Sequence, residues 1–90
     1  NMEKKIEEQL KRLPKYIEDS GHKYVLEPGI IGDDFDVVII DYVDNKSMYR
    51  DLLFSVENID TTLDLSERFK EVVERSLQKI NEINKQQCKN

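Results

Sequence analysis

Tryptophan is absent from this chain of 90 residues, cysteine and histidine occur once each, proline twice and glycine three times. Each scarcity excludes something. A lone Cys88 cannot close an internal disulfide, so the fold must rest on its core, and a reducing compartment such as the cytoplasm suits it. One cysteine and one histidine cannot assemble a zinc site of any usual ligand set. A Cys–His nucleophile would have to bring Cys88, in a polar tail, to His22 in a turn, with a third group to orient the base. Nothing in the spacing provides that. The three glycines, at 21, 29 and 32, match no phosphate-binding loop. No apolar run approaches the roughly 20 residues that span a bilayer, and Met2-Glu3-Lys4-Lys5-Ile6 opens without a signal-peptide core. Asn1, before Met2, reads as a tag remnant. The sequence therefore predicts a cytoplasmic, non-catalytic protein without cofactor, metal or membrane segment.

What the chain has is acid, unevenly placed. Residues 27–64 hold ten acids (Glu27, Asp33, Asp34, Asp36, Asp41, Asp44, Asp51, Glu57, Asp60, Asp64) against Lys46 and Arg50, while both flanks are nearly balanced. A pI near 4.9 argues against direct nucleic-acid binding, which needs phosphate-reaching bases on one face. The bases of the first segment, Lys4, Lys5, Lys11, Arg12 and Lys15, alternate with Glu3, Glu7 and Glu8. That is a solvated helix face with i,i+4 pairs such as Glu7–Lys11 and Glu8–Arg12. The Lys-, Ile-, Glu-, Asp- and Asn-rich composition resembles that of proteins from AT-rich bacterial or phage genomes.

Periodicity predicts one α+β domain over residues 2–87 with a frayed tail at 88–90, in the order α-β-β-β-α. Ile6, Leu10, Leu13 and Ile17 share a helical face, with Pro14 kinking the helix or restarting it and Ser20-Gly21 ending it. Lys23–Glu27 reads as a short strand stopped by Pro28-Gly29, with Ile30 and Ile31 extending it past a bulge. After a turn at Gly32-Asp33-Asp34 comes the strongest strand, Phe35–Val43. A polar loop over 44–47 leads to a third strand, Tyr49–Val56, on which Arg50, Leu52, Phe54 and Val56 share a face. Such short connections predict a three-stranded antiparallel sheet. Asp64, with Glu67 three residues later, predicts the cap of a long helix whose stripe is Leu65, Phe69, Val72, Val73, Leu77, Ile80 and Ile83.

Val37-Val38-Ile39-Ile40 is apolar without a break, so both faces of the central strand are apolar at mid-length. Three arrangements satisfy this. The helices cover opposite faces, the terminal helix wraps round the sheet edge, or one face is left for a second copy or another partner.

Asp34 and Asp36, two apart at a strand start, are the one candidate pair for Mg²⁺ or Ca²⁺ and for a metal-dependent enzyme. Such a pair is accompanied in nucleotidyltransferases by a Gly-Ser motif and a third carboxylate on a later strand, and no Gly-Ser pair occurs in this chain. The acids instead predict a binding surface for a basic protein, made of Asp33, Asp34, Asp36, Asp41, Asp44 and Asp51, with Tyr42 and Tyr49 beside the hairpin. Carboxylates along paired strands are spaced comparably to nucleic-acid phosphates. In size and charge the chain is similar to inhibitor, antitoxin and immunity proteins, some of which mimic nucleic acid. A homodimer burying the spare sheet face is the alternative.

Overall fold

The computed structural model describes residues 2–55, 57 and 64–88. The expected placements of Asn1, Val56 and residues 89–90, and the thiol of Cys88, lie outside them. The elements run α1 (Met2–Lys11), β1 (Tyr16–Asp19), β2 (His22–Ile31), β3 (Asp34–Asp41), β4 (Ser47–Ser55) and α2 (Leu65–Cys88). The four strands form one antiparallel meander in sequence order. The α+β architecture is as expected, with a terminal helix at each end, but the sheet has four strands and not three.

The extra strand is the segment expected to prolong the first helix. Pro14 disfavours helical geometry at the residue before it. The chain accordingly leaves α1 through two tight i→i−3 bonds, from the Arg12 N–H to the Gln9 carbonyl (3.1 Å) and from the Leu13 N–H to the Leu10 carbonyl (3.2 Å). Ile17 sits at a helical spacing from Leu13, yet it packs on the core from a strand. Ser20 and Gly21 do not end a helix. Both have positive φ, 51° and 80°, as the centre of a type I′ turn requires, and they close a hairpin in which Asp19 pairs with His22.

β2 runs straight through Pro28-Gly29, where a turn was expected. The Leu26 N–H points away from β3 and donates to the Lys15 carbonyl (2.8 Å). Pro28, two residues on, has the same orientation, so its missing N–H faces the outside of the sheet and removes no bond to β3. Gly32, at φ 60°, supplies the positive-φ position of the next two-residue turn. β3 ends at Asp41, earlier than expected; Val43 lies in the following turn and is 84% exposed.

All the buried strand residues lie on one face. Tyr24, Leu26, Phe35, Val37, Ile39, Leu53 and Phe54 form a single cluster with Ile6 and Leu13 of the N-terminal region and Leu65, Phe69, Val72, Val73, Leu77 and Ile80 of α2. Both helices therefore cover the same face. The stripe of α2 matches the expected one, except that Ile83 is exposed. Ser76, also buried in that stripe, donates its hydroxyl to the Val72 carbonyl (2.8 Å). Phe35 and Phe54 stack at 4.6 Å. The register slips between Phe35–Phe54 and Asp36–Leu52, leaving Leu53 as the extra residue of a bulge. That bulge turns both Leu53 and Phe54 inward, so Phe54 does not share a face with Arg50 and Leu52.

Candidate functional site

The register defines what the helices leave uncovered. Reading across the sheet, the open face carries the rows Tyr16–Val25–Ile40–Ser47, Glu27–Val38–Arg50, Gly29–Asp36–Leu52 and Ile31–Asp34–Ser55. Val25, Val38 and Ile40 are half-buried at its centre, and Tyr16, Ile31 and Leu52 are exposed around them. At one end Tyr16 and Tyr42 meet edge to face (6.1 Å between centroids). The Lys23 ammonium lies 5.0 Å from the first ring centroid and 4.4 Å from the second.

Local devices occupy parts of the sheet edges. On β4 the Leu52 N–H donates to the carboxylate of Asp51 (2.8 Å). The bulge carbonyl of Leu53 accepts from the Arg68 Nε (2.6 Å). At the other side β1 pairs only with residues 22–25 of β2, and Pro28 interrupts the outward donors beyond it. Bulges, side-chain bonds and proline on an edge all oppose strand addition.

The eight residues expected to form one surface do not come together. Asp33, Asp34 and Asp36 cluster at the β2–β3 end, with Asp34 and Asp36 on the open face. Asp41 and Asp44 lie at the opposite end of β3, about 23 Å from Asp34 at about 3.3 Å per residue. Asp41 acts within the β3–β4 turn, where its Oδ1 accepts from the Val43 and Asp44 N–H groups, each at 2.9 Å. Its backbone N–H donates to the Lys46 carbonyl, and its carbonyl accepts from the Asn45 N–H, both at 2.8 Å. Asn45, at φ 54°, completes that turn. Asp51 lies on the helix-covered side and is held by Arg75 of α2, whose Nε (3.2 Å) and Nη2 (2.9 Å) both donate to its Oδ2. Tyr42 is 52% exposed on the open face, whereas Tyr49 packs against the core on the other.

Asp34 and Asp36 do share a face. Among the described residues, however, no three histidine, cysteine, aspartate or glutamate side chains converge to hold a metal ion. Among the described residues, no helix is long and apolar enough to cross a membrane.

Sequence reasoning missed Glu27, Gly29 and Arg50 as site residues. The signal was the alternation Val25, Glu27, Gly29, Ile31, hidden by reading Pro28-Gly29 as a turn. No family model, curated protein or solved structure matches this chain.

Proposed function

We propose that this chain is a small, acidic, non-catalytic interaction protein of a reducing compartment such as the cytoplasm, which binds a basic protein through the open face of its sheet. One observation carries the reading. Every buried strand side chain points to the helices, and an apolar centre flanked by unmatched acids is left on the other side. A solvated sheet face ordinarily reads as polar positions alternating with the core. Here Val25, Val38 and Ile40 occupy those positions, with Asp33, Asp34 and Asp36 at the margin. Apolar contact supplies the affinity of such a face, and its acids select a basic partner and speed the encounter. Inhibitor, antitoxin and immunity proteins are the classes to which this reading belongs.

The test is capture from a host lysate on the immobilised protein at low and high salt, with three variants in parallel. Ile40→Lys, in the open face, abolishes capture of a salt-sensitive partner. Asp33→Asn/Asp34→Asn/Asp36→Asn weakens it by at least tenfold at low salt. Glu74→Lys, on the exposed side of α2, leaves it unchanged. Capture that ignores both face variants rejects the reading. The apolar centre also favours a second reading, a homodimer through the same face, for which light scattering across micromolar concentrations decides.

A further inference from the structure

Gly29 lies inside a strand with no backbone reason to be glycine. Its φ is not positive, in contrast to Gly21 and Gly32. The β2–β3 register passes through it unbroken, with Pro28 opposite Val37, Gly29 opposite Asp36 and Ile30 opposite Phe35. A Cβ added there would meet no atom within 4 Å. Glycine weakens a strand interior and often marks a bulge, a bend or a place that a ligand or another backbone approaches closely, and the unbroken register here uses it for neither of the first two. A shallow groove of ≈ 310 Å³ on the open face includes Gly29 in its lining. Ile31 and Val38 wall it, Glu27 and Asp36 supply carboxylates, and Arg50 stands across Val38 from Glu27. Glu27 and Asp36 are diagonal neighbours on adjacent strands, roughly 7 Å apart. Neither they nor Arg50 form an ion pair with any described residue.

We propose that this groove seats one lysine or arginine side chain of the partner protein. The aliphatic stem lies over Gly29 between Ile31 and Val38, and the charged head reaches Glu27 and Asp36. Two carboxylates against one guanidinium leave a deficit of one positive charge, which a single basic side chain fills. An acidic side chain or a phosphate would meet the wrong sign. The inference rests on the interaction reading above and specifies its anchor.

The experiment is a ¹⁵N-resolved titration of the full chain with N-acetyl-arginine methylamide, N-acetyl-lysine methylamide and the apolar N-acetyl-norleucine methylamide. The expected result is saturable shifts centred on residues 27–31 and 36–38 with the cationic probes, and at least fivefold weaker binding of norleucine. Gly29→Val fills the groove with a residue favoured in strands, so it keeps the fold and loses saturation. Glu27→Gln/Asp36→Asn loses the preference for cations. Shifts scattered over all surface acids without saturation, or saturation that survives Gly29→Val, overturn the proposal. Concentration-dependent shifts at the same residues without any probe assign the groove to a second copy and also overturn it. Failure of the anchor alone is distinguishable from failure of the whole reading. In the first case Gly29→Val still captures the partner and Ile40→Lys does not; in the second both behave like the wild type.

Discussion

Tyr24 is 1% exposed, and its hydroxyl is a buried oxygen without a hydrogen-bond partner among the described residues. Asn84 is near enough to favour the phenolate slightly, but not in hydrogen-bonding geometry. Burial, followed by the negative charges of Asp19 and Asp41, raises the phenol above its ordinary value. Two consequences follow from an unpaired buried hydroxyl that resists ionisation. At neutral pH, Tyr24→Phe is neutral or stabilising by roughly 1 kcal/mol, because it removes a desolvated group that gains nothing in return. The unfolded chain ionises first as pH rises past about 10. The wild type therefore keeps this residue's contribution below pH 10 and loses it as pH rises through the higher folded value. Thermal midpoints from pH 7 to 11 should show the advantage of Tyr24→Phe growing only above pH 10. A constant difference across that range removes the account.

Elements were legible in the sequence where one period and one set of end signals agreed. α2 is the clearest case: Asp64 caps it, its Oδ1 accepting from the Ser66 N–H (3.0 Å), the Ser66 hydroxyl (2.7 Å) and the Glu67 N–H (3.5 Å). Those bonds, that of the Ser66 hydroxyl foremost, hold the carboxyl below its ordinary range. A depressed value means the cap's contribution is complete above about pH 4 and is lost as pH falls through the folded value. Asp64→Asn caps without titrating, so the wild type's lead over it should hold above about pH 4 and shrink as pH falls below it in thermal melts. A lead that stays constant refutes the charge argument. β1 was not legible, because Ile17 satisfies both a helical spacing and strand alternation, and Ser20-Gly21 serves as a helix stop or a hairpin turn. Only pairing with β2 decides between them. The same turn offers a prediction: Ser20 at φ 51° is outside its preferred region, and asparagine tolerates left-handed geometry better. Ser20→Asn should stabilise by about 0.5 kcal/mol, within the range of compatible turn substitutions. Destabilisation would mean the hairpin is not of this type.

At the scale of the whole molecule, the sequence held both faces of β3 open as apolar surfaces but not which one the helices take. That depends on the bulge at Leu53 and on the exit of α1, neither of which leaves a periodic trace. Of the residues expected to form the site, Asp33, Asp34 and Asp36 lie at its margin and Tyr42 on the open face. Asp41 and Asp51 carry the same charge, but their partners, the β3–β4 turn and Arg75, are set by tertiary structure. The one-sided arrangement makes adjacent residues of one strand unequal. Ile39 is 0% exposed within the core, whereas Ile40, its neighbour, is half-buried on the open face. Ile39→Ala should therefore lose about 3 kcal/mol, the usual range for truncating a fully packed isoleucine. Ile40→Ala should lose about 1 kcal/mol or less, since it vacates a place solvent already reaches. Urea unfolding at two protein concentrations measures both differences together. Equal losses would mean that the second face is also covered. If the loss at Ile40 grows with protein concentration, the cover is another copy of this chain. A small, concentration-independent loss leaves Ile40 on a face that is exposed in the free protein and can still be buried by a different one.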